Sequence, residues 1–252
     1  MVARLDIPRA ALRLSDDELG AAVMLLAAPG HASLAEPATR EAIDALTSAG
    51  IVRDGTIEGF PARMLAVVAA PKLRVTVESF VGVETVVEQG WATEREGVWG
   101  TVAADGQIEL TPLEPSLIPW AVAHAVGLGP RDRPAGREIA VPAQALGSAT
   151  ELLATGDPDG AAGALAALDP DDRATLLALL RERRLSWRAS SAWTEQDGTR
   201  QARSVAVLDA GIEGLWLTRH DGTAPDTIAH LQPVPPSAVW DRVTGLMPSP
   251  EA

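Results

Sequence analysis

The chain repeats itself, and this constrains its fold more than any other feature. Glu96-Gly97-Val98-Trp99-Gly100-Thr101 matches Glu213-Gly214-Leu215-Trp216-Leu217-Thr218, and the segment 110–116 (LTPLEPS) matches 231–237 (LQPVPPS). Nearer the start, Leu12, Leu14, Leu19, Gly20, Leu25 and Leu26 align with Ile139, Val141, Leu146, Gly147, Leu152 and Leu153. The three sets keep their order, and only the loops between them differ in length. A half that stands alone exposes an open sheet edge and an uncovered apolar face. Pairing two such halves about a pseudo-twofold axis removes both. The expectation is a single domain over 1–252, made of pseudo-repeats 10–128 and 137–248 joined by a linker over 129–136.

Local signals assign elements to the repeat. Ser15-Asp16-Asp17-Glu18 has the form of a capping box and opens a helix near 16–28, after the strand-like Leu12-Arg13-Leu14. Pro37 opens a second helix that Gly50 closes, and Pro61–Ala70 reads as a third. From Leu73 the apolar period becomes two, so 73–111 reads as an antiparallel meander, followed by a helix carrying Trp120 and His124. The second half runs in the same order. Asp157-Pro158 and Asp169-Pro170 look like helix caps followed by Pro at the first helical position, strands fall near 185–194, 202–209, 213–219 and 229–232, and a last helix lies near 237–246. The fold class expected is α/β (α+β), with a central, mostly antiparallel sheet and two flanking helical bundles.

Composition narrows the chemistry. At 46% hydrophobic residues the chain can build a core, and its net charge of −13 disfavours phosphate backbones and anionic lipid heads, so neither nucleic acid nor membrane is an expected partner. With no cysteine, thiolate metal sites and cysteine nucleophiles are excluded. No apolar run approaches the ~18–20 residues of a membrane span. The acidic residues ahead of Ala21–Ala28 fit a helix start and not a secretion signal, which points to a cytoplasmic protein.

The search for a catalytic centre returns little. His31, His124, His220 and His230 have no ligand at metal-binding spacing; His124, among alanines and valines, reads as a structural histidine. No Gly-x-Ser-x-Gly elbow surrounds any serine, and Gly127-Leu128-Gly129 leads into linker composition instead of a helix. Asp209 ends an apolar strand and reads as a turn residue; paired with His220 or His230 it would support an enzyme as the alternative reading. No catalytic, cofactor-binding or metal-binding residue is assigned, and no cofactor is expected.

Seven tryptophans must supply nearly all aromatic packing beside two phenylalanines and no tyrosine. Trp99 and Trp216 are repeat-equivalent and Trp120 and Trp240 nearly so, which argues for core positions. Trp187 and Trp193 have no counterpart in the first half and are candidates for a binding surface.

The duplicated order, the segment SVAVLDAGIEGLWLT (204–218), the segments IELTPLEPS (108–116) and LQPVPPS (231–237), and LLATGDPDGAAGALAALDPDD (152–172) resemble the EspG family of actinobacterial ESX (type VII) secretion-associated proteins. The resemblance covers residues 10–248. It implies cytoplasmic chaperones, without cofactor or catalysis, that hold secretion substrates of the PE/PPE class soluble before export. Such proteins grip the tip of a helical client with the central sheet and the second helical bundle, here about 143–184. Family members that hold PPE-type clients tend to carry a long loop between early strands, whereas this chain has only Phe80-Val81-Gly82-Val83. Phe80, Val81 and Val83, with Trp187 and Trp193, are the candidate protein-binding residues. The client is then a PE/PPE-like or other type VII substrate. Besides the enzyme, a homodimeric structural or interaction protein is the remaining alternative.

Overall fold

In the computed structural model, residues 3–27, 36–82, 84–103, 105–132, 134, 136–195, 197–222 and 227–249 are described. They form a mixed α/β fold whose large antiparallel sheet takes up nearly all the strands, accompanied by eight α-helices among the described residues. The chain divides into two compact units, Met1–Thr76 with Val87–Ala121 and Ser191–Ala202, and Val77–Val86 with Val122–Ser190 and Arg203–Ala252. Each unit therefore draws on both halves of the sequence.

The first unit holds β1 (Arg4–Asp6), β2 (Ala11–Leu14), α1 (Asp16–Ala27), α2 (Pro37–Ser48), α3 (Gly59–Ala69), β7 (Gly97–Val102) and β8 (Ile108–Leu113), with parts of β5 (Leu73–Val81) and β6 (Glu84–Ala92). The capping box at α1 is formed in both directions: the Glu18 amide donates to Ser15 Oγ at 3.2 Å, and the Ser15 amide donates to Glu18 Oε2 at 2.7 Å. The other Glu18 oxygen accepts from the Ala3 amide at 3.1 Å, tying the chain start to the helix and burying the carboxylate. Between α2 and α3, β3 (Val52–Arg53) and β4 (Thr56–Ile57) make a two-residue hairpin that the sequence reading passed over. Its turn, Asp54-Gly55, has φ +50° and +74°, the left-handed pair such a hairpin requires.

Leu12, Leu14, Trp91, Val98 and Leu110 turn one face of this unit's strands toward α1–α3, where they meet Leu25, Leu46 and Leu65. Trp91 and Trp99 fit through two glycines. A Cβ on Gly90 would stand 2.8 Å from the Trp99 ring, and one on Gly100 would stand 2.9 Å from the Trp91 ring and 3.1 Å from Leu110.

The second unit holds β9 (Ile139–Pro142), α5 (Ala143–Ala154), α6 (Pro158–Ala164), α7 (Pro170–Arg181), β12 (Leu215–His220), β13 (Ile228–Val234) and α8 (Pro236–Thr244), and shares β10 (Leu185–Thr194) and β11 (Arg200–Asp209) with the first. Both Asp-Pro caps are made. Asp157 Oδ1 accepts from the Gly160 amide at 2.8 Å, and Asp169 Oδ1 accepts from the Asp171 and Asp172 amides at 3.0 Å each. The amide of Asp172 and its neighbours hold the Asp169 carboxyl below its ordinary range, and Arg137 bridges Asp169 and Asp172 at 2.9 and 3.0 Å.

Strand register separates two kinds of similarity in the repeat. Leu12 opposes Leu110 and Ile139 opposes Leu231, so the repeat-equivalent residues pair alike. The tryptophans do not. Trp99 opposes Thr111, whereas Trp216 opposes Pro233, one residue beyond the equivalent position. Because strand side chains alternate faces, Trp216 joins the core under α5–α7, while in the first unit Val98 takes that place and Trp99 faces the other way. Both tryptophans are buried as expected, Trp99 with its Nε1 donating to Glu88 at 2.7 Å. Trp120 departs from its expected core position and is 62% exposed on α4 (Ile118–Ala125), because Ile118 and Val122 occupy the helix's buried face instead.

Candidate functional site

The hairpin between β5 and β6 brings the clearest exposed apolar group to the second unit. Residues 80–81, expected in a loop, are the end of strand β5, which continues its alternation past Leu73, Val75 and Val77 until Gly82, at φ +60°, turns the chain. Val83 lies outside the described residues. Phe80 is 37% exposed, Val81 50% and Val86 on the returning strand 41%. Three apolar side chains at one strand end are more than the turn itself needs, since solvent-facing tips are ordinarily polar.

Phe80 also forms one wall of a groove of about 290 Å³. Leu146 and Thr150 of α5 and Leu180 at the end of α7 face it, with Arg183 from the connection into β10 and Trp187 and Arg188 from that strand. The helices reach this position because their amphipathic faces sit on the strand residues Leu208 and Leu231, leaving the groove where α5 and α7 diverge over the sheet. Arg188 is held by Glu78, with its Nη2 2.6 Å and its Nε 2.8 Å from the same carboxylate oxygen.

Trp187 and Trp193, candidates for a binding surface with ordinary sheet packing as the competing reading, are buried at 2% and 7% exposure. They belong to an inward row with Ala189 and Ser191 on alternate positions of β10, and the gain from burying aromatic area outweighs their lack of repeat counterparts. Trp193 Nε1 donates to Glu195 at 2.9 Å. Of the candidate residues, the structure therefore brings Phe80 and Trp187 to one groove, puts Val81 beside it at the hairpin tip, and withdraws Trp193. Leu146, Thr150, Leu180 and Arg183 fall within the bundle of about 143–184 to which the resemblance pointed, but none was named as a binding residue, Arg183 reading only as a cation favoured at a helix end.

The residues considered for catalysis are not assembled. Asp209 is buried and committed, accepting from Arg131 Nη2 and from the Gly211 amide, both at 3.0 Å. It opposes Leu215 at one end of the β11–β12 pair, while His220 ends β12 and His230 opposes Arg219 near it. His220 lies five residue steps along β12 from Leu215, a rise of about 17 Å, too far for proton transfer. His230 makes its own cluster. Its Nδ1 is 2.8 Å from Glu138 and its Nε2 2.9 Å from Asp221, with Arg219 3.6 Å from Glu138. Asp221 first, then Glu138, raise the imidazole above its ordinary value, so it carries its proton further toward neutral pH. His124 is exposed, not embedded, and His31 lies outside the described residues. Among the described residues no cluster of His, Cys, Asp and Glu could hold a metal ion, and no helix is long and apolar enough to cross a membrane.

Within 129–136, the expected linker, the described residues Arg131, Asp132 and Pro134 meet the turn after β11. Arg131 runs to Asp209, and a Cβ on Gly214, at φ +81°, would stand 3.0 Å from Pro134 and 3.1 Å from the Asp132 carbonyl.

Fold and site together define an α/β protein with an apolar, arginine-edged groove over an antiparallel sheet. A solved structure with this fold is the type VII secretion system chaperone EspG5 of Mycobacterium tuberculosis in complex with a PE25–PPE41 dimer, matched with a TM-score of 0.60 over 96% of this chain and 98% of that one, at 15% identity. The sequence profile of the EspG family matches residues 16–245, and the chain belongs to that family. A search of the curated proteins finds no match.

Proposed function

We propose that this protein is a cytoplasmic chaperone of type VII secretion that binds a helical PE/PPE-like substrate, keeps it soluble for export, and does so without catalysis. Family membership and the fold shared with EspG5, whose structure holds a PE25–PPE41 dimer, support the reading. The observation that carries it to particular residues is the groove of the second unit, edged by exposed Phe80 and walled by α5 and α7, with exposed Val81 next to Phe80 in the chain. A helix tip is the element whose size suits it: a helix with side chains is ~10–12 Å across and presents apolar residues three and four apart. Exposed apolar side chains at the centre of such a contact carry most of its energy.

The domain reading goes with this proposal: one domain over 1–252, in which pseudo-repeats 10–128 and 137–248 act together.

Co-expression with a PE–PPE pair encoded beside the gene, followed by affinity purification through a tag on this chain, tests the function. The wild type is expected to bring the pair down as a soluble complex. The double variant Phe80→Asp/Val81→Asp is expected to lose it while melting within a few degrees of the wild type, since both side chains are substantially exposed. Undiminished recovery of the pair by the double variant takes the hairpin out of the binding site.

A further inference from the structure

The groove carries a charge that folding alone does not account for. In a chain of net charge −13, residues 181–188 hold four arginines against the single Glu182. Three of them have a structural employment. Arg181 lies in the last turn of α7, where the helix dipole favours a cation. The stem of Arg184 lies over Gly211, its Cγ and Cδ 3.8 Å from where a Cβ there would stand. Arg188 is paired with Glu78. Arg183 is half-buried, lines the groove beside Leu180 and Leu146, and makes no ion pair among the described residues.

A guanidinium against apolar walls has lost part of its hydration, and a carboxylate brought to it from outside would gain a charge-assisted, bidentate contact in a partly dry setting. The surrounding negative charge turns away phosphate polymers, which leaves a protein carboxylate as the matching group. We propose that Arg183 reads an acidic side chain on the client's helix tip, placed beside the apolar side chains that fill the groove. Arg188 and Glu78 form the fixed border next to it, and that neutral pair confines the preference to one position. This inference rests on the chaperone reading and adds the chemistry of the client that this groove selects.

The test uses the full chain and two stapled helical peptides of about 20 residues, long enough to hold a helix with the staple. Both end in the same Leu and Phe tip, one flanked by glutamates and the other by lysines, and binding is followed by fluorescence anisotropy. The wild type is expected to prefer the acidic peptide by about tenfold or more, the scale of one hydrogen-bonded charge contact. Arg183→Glu is expected to abolish or reverse the preference, and Arg183→Lys to keep it at weaker affinity. Unchanged melting curves for both variants establish that the fold is intact. Equal binding of the two peptides that is lost in Phe80→Asp overturns the inference and leaves the groove as the binding site. A preference that survives Arg183→Glu also overturns it. Binding of neither peptide overturns the inference and counts against the groove as well, which the co-purification experiment then decides separately.

Discussion

Gly90 and Gly100 do in the first unit what no side chain could. Each faces an indole ring at less than 3 Å from where its Cβ would be. Both rings are buried in a sheet flanked by strands on either side, so little room exists for either to withdraw. Gly90→Ala and Gly100→Ala are each expected to lower stability by about 1–3 kcal/mol, the usual cost of overpacking. Gly147→Ala in α5, where nothing lies within 4 Å, is expected to be neutral or to stabilise by about 0.5–1 kcal/mol. Thermal melts of the three variants decide the matter; a Gly100→Ala protein as stable as the wild type would mean the Trp91 ring is loosely held. At the same scale, the resemblance pointed to Phe80 and Val81 as part of a short apolar loop, and they lie instead at the end of β5, just before Gly82. The strand pattern could not place Trp187, because a tryptophan's burial depends on which face of β10 is covered, and alternation alone does not say which face that is.

At the level of elements, caps and turns were the most readable features because their chemistry is local. Ser15 and Glu18 close the capping box, and Asp157 and Asp169 cap α6 and α7 with their own carboxylates. The buried Glu18 makes the first of these more than a local device, since it also takes the Ala3 amide. Ser15→Ala is expected to cost about 1 kcal/mol. Glu18→Ala is expected to cost more, about 1–3 kcal/mol, because two backbone amides lose their acceptor. Chemical denaturation of both variants, compared at constant m-value, measures the difference. Equal costs would mean that the Ala3 contact contributes nothing. The β3–β4 hairpin was just as local, its Asp54-Gly55 turn being a strong signal, yet two-residue strands are too short for the period of their side chains to register. The Trp99 and Trp216 segments show the opposite limit. Their sequences match, but a one-residue difference in strand register sends the two rings to different faces.

For the whole molecule, the repeat read from the sequence and the compact units are not the same division. The first unit takes Ser191–Ala202 from the second half of the chain, and the second takes Val77–Val86 from the first. A chain cut within 129–136 therefore leaves each fragment without strands that its own unit requires. Residues 1–128 and 137–252 expressed separately are expected to give poorly dispersed amide spectra and no cooperative melt, since their open strands and apolar faces stay uncovered. Co-expressed fragments are expected to recover the spectrum of the intact chain. A well-dispersed spectrum and sharp melt from 137–252 alone would reject the single-domain proposal. The candidate site belongs to this scale too. Phe80 stands far in sequence from Leu146 and Leu180, and only the exchange of the hairpin into the second unit brings them to one groove.

The sequence by itself determined the helix caps, the alternating strands and the EspG family, because each of these is written in residues close together or in patterns along the chain. The tertiary structure alone decided which face each tryptophan took, that Asp209 serves Arg131 instead of a histidine, that Pro134 lies against Gly214, and that Arg183 stands in a groove without an ion pair among the described residues. The physical reason is common to all four. Burial and charge pairing depend on which surfaces meet across long sequence separations, and strand register, which a shift of one residue reverses, sets those meetings.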